Sequence, residues 1–290
     1  MKKKIKLPKA AVLGDPISHS LSPTIHAFLL EKHGLKGSYE AIKVEKNQLE
    51  SHIASLIEKD FSGFNITIPH KENIFKICDY KSNTALLTKA VNTVKITEDN
   101  KIFGHNSDAE GFINNLKHSQ KEFILKGKTA FVIGAGGAAR AIIYSLIKSE
   151  VKTIYIHNRN QSRAIELIKD FQNFAEEKNC TLSLLKYEDF TKQLNECDLL
   201  VNSTSLGMVG QEKLTIDLTN LPKEAVIYDI VYKPLMTDLL IEAQNRGNRI
   251  VTGIGMLVFQ ALVGFELWFG EKPEEKFIKE LFNHLDNVNN

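Results

Sequence analysis

Cysteine is scarce in this sequence and follows no pattern. The three cysteines among 290 residues, Cys78, Cys180 and Cys197, are scattered and form no CxxC spacing. A disulfide framework needs paired cysteines and a structural zinc site needs closely spaced ligands, so the sequence argues against both. The histidines also lack metal-ligand spacing. We therefore expect no metal site, and a chain that works in the reducing cytoplasm.

Long apolar runs and an excess of one charge are lacking too. No stretch approaches the roughly 18 apolar residues that cross a bilayer, and the basic start MKKKIKLPK leads into too short an apolar run for a signal peptide. Lys and Arg number 37 against 35 Asp and Glu, a formal net charge of +2. We expect a soluble protein whose partner is neither nucleic acid nor a membrane. The oligomeric state stays open, with a homodimer among the options.

Short strand-like runs alternate with helical segments in two series. The first reads AAVLG, SPTIHAFLLEKHG, SYEAIKV, QLESHIASLIEKD and FNITI, an order typical of βαβ units. The second begins near residue 128, and its β-branched strands suit a parallel sheet covered on both faces. The last segments are helical, and GMLVFQALVGFELWFG is too apolar to lie exposed. The sequence predicts an α/β fold with two domains.

A glycine-rich turn opens the second series. In TAFVIGAGGAARA, Gly134 and Gly136 stand between an apolar strand and a helix, and Ala139 takes the place of the third glycine of GxGxxG. Such a turn lets a pyrophosphate approach the backbone, and the helix N-terminus supplies amide donors. The pattern favours a dinucleotide site, although a glycine-rich turn without a nucleotide remains an alternative.

The end of the following strand distinguishes NADP from NAD. In NAD-binding versions an acidic residue about 20 positions on holds the ribose 2′-hydroxyl. Here TIYIHNRN ends in Asn158 and Arg159, and Arg163 follows one helical turn later. A guanidinium pairs well with a 2′-phosphate, so we predict NADP, against the alternative of two exposed surface arginines.

Polar clusters in the first hundred residues each have an ordinary explanation. Ser22 before Pro23 is typical of a helix N-cap, and Asp108 could also cap a helix. Asn92 suits a turn, and Lys71 suits a solvated surface. Taken singly, these residues do not predict a site.

Taken in order, the motifs of this chain resemble the shikimate dehydrogenase family. They are GDPISHSLSPTIH, GFNITIPHK, AVNTV, GHNSDAEGF, GAGGAAR, NRNQSRA, VNSTSLGM, YDIVYKPLMTDLL and GIGMLVFQA, from about residue 11 to 269. The resemblance implies reversible NADPH-dependent reduction of 3-dehydroshikimate to shikimate. It also implies a substrate domain of residues 1–107, to which helices 253–290 return, and a Rossmann-like NADP-binding domain of residues 108–252.

The resemblance implies a role for each polar cluster. Ser20, Ser22 and Tyr232 would bind the substrate carboxylate, and Thr67, Asn92 and Gln260 the ring hydroxyls. Lys71 and Asp108 would form the catalytic pair, also in contact with the substrate. The residues implied for the cofactor are Gly134, Ala135, Gly136, Gly137, Ala138, Asn158, Arg159, Arg163, Thr204, Ser205, Met208, Gly253 and Met256.

Three positions depart from the commonest family pattern, and two other functions stay open. Asn160 stands where threonine is usual, and His105 and Ala109 where tyrosine and glycine are more familiar. One alternative is a quinate/shikimate dehydrogenase that uses NAD. The other is a catalytically silent homologue that senses a ligand, against which the retention of Lys71 and Asp108 argues.

Overall fold

The β-branched runs form two six-stranded sheets in the computed structural model, which describes residues 7–289 and the side chains of all but residues 187 and 287–289. The described chain divides into two units. One runs to Ser107 and resumes at Leu257, and the other spans Asp108–Met256. Each unit contains one sheet, with its own buried apolar core.

The first unit begins with βαβ units and then departs from them. Its elements are β1 (Lys9–Gly14), α1 (Ser22–Lys32), β2 (Ser38–Lys43), α2 (Leu49–Glu58), β3 (Gly63–Ile66), α3 (Lys71–Ile77), β4 (Tyr80–Lys81), α4 (Asn83–Thr88), β5 (Thr93–Ile96) and β6 (Ile102–His105). The sheet order is β2-β1-β3-β5-β6-β4. β5 runs antiparallel to both neighbours, so the sheet is mixed. The short connection from β5 to β6 allows this reversal, whereas a parallel pair needs a long crossover.

The second unit is a doubly wound parallel sheet. Its elements are α5 (Asp108–Ser119), β7 (Thr129–Ile133), α6 (Gly137–Lys148), β8 (Thr153–His157), α7 (Gln161–Glu177), β9 (Thr181–Leu184), α8 (Tyr187–Gln193), a 3₁₀ turn (Leu194–Glu196), β10 (Leu199–Asn202), β11 (Val226–Asp229), α9 (Asp238–Asn245) and β12 (Arg249–Val251). The order β12-β11-β10-β7-β8-β9 is that of the dinucleotide-binding fold, with its switch point between β7 and β10.

The last two helices, α10 (Ile254–Phe269) and α11 (Glu275–Asn289), bring the chain back to the first unit. Val258, Ala261 and Phe265 of α10 are fully buried, which explains the apolar sequence of this helix. The Trp268 indole N–H donates to the Val94 carbonyl at 2.8 Å and so fastens α10 to β5. The predicted α/β fold with returning C-terminal helices is confirmed. No helix in residues 7–289 has both the length and the apolar character to cross a bilayer.

Candidate functional site

A cavity of about 950 Å³ opens at the carboxyl ends of β7, β8 and β10 in the second unit. Parallel strands of this fold bind ligands at this edge, next to the switch point. Gly134, Asn158, Arg159, Thr204 and Ser205 all line the cavity. The structure therefore brings together five of the residues that the resemblance implies for the cofactor.

The glycines of the turn before α6 serve two different purposes. Gly134 has φ +115, and a Cβ there would lie 2.4 Å from the Ser203 hydroxyl oxygen, so the fold itself requires glycine. Gly136 has φ −97 and is the N-cap of α6. A Cβ on Gly136 would meet nothing within 4 Å, so neither dihedral nor packing explains this glycine. An open approach to the α6 N-terminus is what a pyrophosphate needs.

The end of β8 presents amides and guanidinium groups. The Asn158 side chain donates to the Asn160 carbonyl at 2.8 Å. Asn160 in turn caps α7, because its side-chain oxygen accepts the Arg163 backbone N–H at 3.4 Å. The side chains of Arg159 and Arg163 are exposed. Asn160, which replaces the more usual threonine, therefore shapes the start of the helix that carries Arg163.

The remaining residues implied for the cofactor fall into two groups. Ala135, Gly137 and Ala138 belong to the turn and the first turn of α6, beside Gly134 and Gly136. Met208, Gly253 and Met256 are not lining residues of the cavity. Gly253 is buried, and a Cβ there would lie 2.2 Å from the Ile230 carbonyl oxygen. Met256 packs in the core of the second unit.

A buried carboxylate that the sequence did not single out organises the loops after β10 and β11. Asp229 accepts hydrogen bonds from the Asn202 side chain at 3.0 Å, the Val231 N–H at 2.9 Å and the Thr237 hydroxyl at 2.8 Å. Burial raises the pKa of Asp229. Thr237 caps α9 and Asn202 ends β10, so this one side chain fixes the segment that carries Tyr232. The signal in the sequence was the aspartate at the end of the apolar run AVIYD.

Tyr232 and Asp108 both belong to the second unit. Tyr232 is half-buried, and burial raises the pKa of its hydroxyl. Asp108 is the first residue of α5 and is only 5% exposed. A carboxylate in the first turn of a helix is favoured by the helix dipole.

The first unit contains a buried polar network where β3 and β6 end and β5 begins. Its members are Asn65, Asn92, Thr93, Ser107 and Gln260, all at most 6% exposed. The Asn65 side-chain amide donates to the Asn92 carbonyl at 3.0 Å and the Thr93 hydroxyl at 3.2 Å. It also lies 3.5 Å from the Gln260 side-chain oxygen, which the Asn92 amide approaches to 3.4 Å. Side chains 195 positions apart therefore share one cluster.

The other side of this network is fixed by backbone groups. The Ser107 backbone N–H donates to the Asn92 side-chain oxygen at 2.7 Å. The Gln260 side-chain amide donates to the Leu257 carbonyl at 2.9 Å. Both contacts determine which end of each amide faces the cluster. Because buried polar groups are costly unless bonded, an extended polar cluster in a core is typical of a binding site.

Asn65, Thr93 and Ser107 were not found from the sequence. Asn65 is a polar residue in a strand whose residues are all buried. A polar residue inside the apolar stretch GFNITI was the signal in the sequence. Ser107 directly precedes Asp108 in GHNSDAEGF, and Thr93 follows Asn92 in AVNTV. The part that Ser107 and Thr93 play in the network is seen only when the folded sheet brings their strands together.

Thr67 and Lys71 follow β3, which ends at Ile66 rather than next to Pro69. The Thr67 N–H donates to the Leu13 carbonyl at 2.9 Å, and a Cβ on Gly14 would collide with the Thr67 methyl group. Lys71 begins α3, and its carbonyl accepts the Val91 N–H at 2.9 Å, next to Asn92. Both residues are half-buried. Thr67 thus directly follows the strand that holds Asn65, and Lys71 is bonded to the residue before Asn92.

Ser22 is not a helix N-cap. α1 begins at Ser22, and its N-cap position is Leu21, whose dihedrals are already helical and which makes no side-chain cap bond. The Ser22 N–H instead donates to the Ser20 hydroxyl at 3.3 Å. The ordinary explanation for Ser22 is therefore wrong, because the chain enters the helix one residue earlier than a serine cap requires. Ser22 is buried and Ser20 is half-buried.

Comparison with known families agrees with these observations. Three family models match the chain: a shikimate dehydrogenase substrate binding domain at residues 12–94, a shikimate / quinate 5-dehydrogenase at 117–232 and a shikimate 5′-dehydrogenase C-terminal domain at 253–281. The shikimate dehydrogenase (NADP(+)) of Paramagnetospirillum magneticum is 42% identical over 265 residues, which cover 91% of this chain and 94% of that protein.

Two solved structures, each a complex with a nicotinamide cofactor, are also similar to this chain. The Thermus thermophilus shikimate 5-dehydrogenase in complex with NADP(H) and shikimate has a TM-score of 0.83 and 36% identity, and the match covers 96% of this chain and 99% of that one. The quinate dehydrogenase of Corynebacterium glutamicum in complex with NAD has a TM-score of 0.86 and 26% identity, with 96% and 99% covered.

Proposed function

Because this chain belongs to the shikimate dehydrogenase family, we propose that it catalyses the reversible NADPH-dependent reduction of 3-dehydroshikimate to shikimate. It is an oxidoreductase that acts on a CH–OH group. The reaction belongs to the shikimate pathway, which leads to chorismate and the aromatic amino acids. The observation that carries the proposal is the extended match to an NADP-dependent relative by a chain that retains both Lys71 and Asp108.

NADP is the cofactor, and the residues at the carboxyl ends of β7, β8 and β10 fit it. NADPH, when bound, supplies the hydride. Gly136 leaves the α6 N-terminus open to the pyrophosphate, and Arg159 and Arg163 offer guanidinium groups for the 2′-phosphate. NAD-binding chains have an acidic residue at the position of Asn158, and its charge would repel the 2′-phosphate. Asn158 is neutral and causes no such repulsion. We assign supporting contacts to Thr204, Ser205, Met208, Gly253 and Met256.

Apart from Lys71 and Asp108, the groups that we assign to the substrate are neutral hydrogen-bonding groups. We assign the carboxylate to the hydroxyls of Ser20, Ser22 and Tyr232. Burial keeps the Tyr232 hydroxyl protonated, because it raises the pKa, so this group can donate to an anion. We assign the ring hydroxyls to Thr67 and to the amides of the buried network.

Lys71 and Asp108 are proposed as the catalytic pair. Reduction of the keto group places negative charge on its oxygen, and a nearby ammonium both stabilises that charge and donates the proton. Within this proposed pair, we assign the proton donor to Lys71 and the orienting role to Asp108. Asp108→Asn, which keeps the shape but removes the charge, should lower kcat more than it raises the KM for shikimate. Equal kcat values for wild type and Asp108→Asn would contradict this role.

These roles divide the chain by function. We propose that residues 1–107 with helices 253–290 form the substrate-binding domain, and that residues 108–252 form the NADP-binding Rossmann domain. The strand order of the second sheet supports the NADP assignment, and the polar network of the first unit supports the substrate assignment.

One kinetic comparison tests the function and its alternatives. Purified protein is supplied with shikimate or quinate and with NADP or NAD, and reduced nicotinamide is followed by absorbance. We expect turnover with shikimate, and a higher kcat/KM for NADP than for NAD. Preferred turnover of quinate with NAD would favour the quinate dehydrogenase function, and binding of shikimate without turnover would favour the ligand-sensing homologue.

A cytoplasmic location and a homodimer are further proposals. The three cysteines are free and buried, which agrees with a reducing compartment. Size-exclusion chromatography with light scattering gives the mass in solution, and a mass of one chain would contradict the dimer. Fractionation of the source cells tests the location.

A further inference from the structure

Tyr39 occupies an unusual place on β2, the edge strand of the first sheet. Its ring stacks on the fully buried imidazole of His26, with centroids 4.0 Å apart and planes 13° from parallel. Trp268 packs against both rings, at 5.9 Å from Tyr39 and 5.6 Å from His26. The aromatic contacts fix the ring of Tyr39, and therefore also the position of its hydroxyl.

The Tyr39 hydroxyl donates a hydrogen bond to the Asn65 side-chain oxygen at 2.6 Å. The opposite end of this carboxamide faces three acceptors: the Asn92 carbonyl, the Thr93 hydroxyl and the Gln260 side-chain oxygen. If the Asn65 amide were flipped, its oxygen would face the Asn92 carbonyl and the Gln260 side-chain oxygen, and neither of these can donate a hydrogen bond. Tyr39 and these acceptors therefore select one orientation of Asn65.

The Ser22 side chain also lies near this hydroxyl. A hydrogen bond with the Ser22 side chain opposes the rise in the pKa of Tyr39, which burial keeps well above its usual value. The phenol stays protonated, so it can accept from a serine hydroxyl and donate to an amide at once. Tyr39 therefore lies beside a proposed carboxylate-binding residue and is bonded to the amide network proposed to bind the ring hydroxyls.

We propose, on the basis of the function proposed above, that Tyr39 is a positioning residue for the substrate. Its hydroxyl holds the Asn65 carboxamide in one orientation, and Asn65 in turn orders Asn92 and Gln260. The role requires no contact between Tyr39 and the substrate. Loss of the hydroxyl should loosen the amide half of the substrate site while the aromatic packing remains.

Tyr39→Phe tests this role, because it removes one oxygen and keeps the ring on His26. The KM for shikimate should rise about tenfold, since the buried Asn65 oxygen loses its donor. The kcat and the KM for NADP should change by less than about twofold, because neither depends on ground-state binding of shikimate. Tyr155→Phe is the matched control: its half-buried hydroxyl accepts a hydrogen bond from Gln193 at 3.0 Å in the second unit.

A double-mutant cycle separates positioning from general loosening. With Asn65→Ala present, Tyr39→Phe should raise the KM for shikimate by less than about twofold, because the partner of the hydroxyl is already gone. An unchanged KM in Tyr39→Phe would overturn the proposal. The proposal would also be overturned if Tyr39→Phe lowered the melting temperature more than Tyr155→Phe does and raised the KM for shikimate and the KM for NADP together. That result would indicate a general structural role. Wild-type protein without shikimate turnover would instead overturn the proposed function, before any variant is compared.

Discussion

The stability of this protein should depend on acid pH through His26, which the folded chain holds neutral. The ring is 0% exposed and lies among Tyr39, Phe265 and Trp268. Within the described residues, neither ring nitrogen has a hydrogen-bond partner. Burial lowers the pKa of His26 from its usual 6.5 to about 3, because a charged imidazole there would lose its hydration.

The size of the effect follows from proton linkage. The unfolded chain binds a proton at His26 below the usual pKa of 6.5, whereas the folded chain does so only near 3. Between these values the unfolded state holds more protons, so the free energy of unfolding falls as the pH falls. One such group gives a slope of about 1.4 kcal/mol per pH unit. From neutral pH to roughly pH 5, His26 should therefore cost about 2 kcal/mol.

Chemical denaturation at neutral pH and near pH 5 measures this cost. His26→Phe keeps an aromatic ring but cannot take up a proton, so its loss of stability on acidification should be smaller by about 2 kcal/mol. His19→Gln, which removes an exposed imidazole from the loop between β1 and α1, serves as the control for a substituted histidine. Equal losses in wild type and His26→Phe would refute the reasoning.

Three further substitutions test the second unit. Asp170→Ala should lower the free energy of unfolding by about 3–5 kcal/mol, because it removes the carboxylate 2.7 Å from the buried Arg140 guanidinium. Thermal or chemical denaturation measures this loss. Lys276→Ala, which removes an exposed ammonium paired with Glu274, is the control and should change stability very little. Gly134→Ala should raise the KM for NADP and lower the melting temperature, because of its φ of +115, and unchanged values of both would contradict the turn. Arg159→Ala should raise the KM for NADP about tenfold and leave the KM for NAD unchanged, and equal effects on both cofactors would exclude a 2′-phosphate contact.

The dinucleotide-binding half could be predicted from sequence because its signals are local. A β-branched strand, a glycine-rich turn and a helix stand together around Gly134 and Gly136, and this spacing reflects one contiguous turn. The absence of an acid after β8 is likewise read from a single position, Asn158. The structure then adds what distinguishes the two glycines, a dihedral at Gly134 and open space at Gly136.

The substrate half could be predicted only in part, because its contacts are distant in sequence. Asn65 and Gln260 meet across 195 positions, and Tyr39 reaches Asn65 across 26. No local pattern indicates such pairs. At Ser22 a local pattern was misleading. A serine before proline is typical of a helix N-cap, but Leu21 already has helical dihedrals, so the N-cap position is Leu21 and not Ser22.

Turnover by Lys71→Ala tests the central claim, that this chain interconverts shikimate and 3-dehydroshikimate with NADP through a lysine that donates the proton in the reduction and accepts it in the oxidation. The rate is measured at saturating shikimate and NADP, and shikimate binding is measured separately by calorimetry. We predict that Lys71→Ala lowers kcat by about 10²–10⁴-fold while shikimate still binds. Near-native turnover by Lys71→Ala, or no turnover by the wild type, would contradict the account.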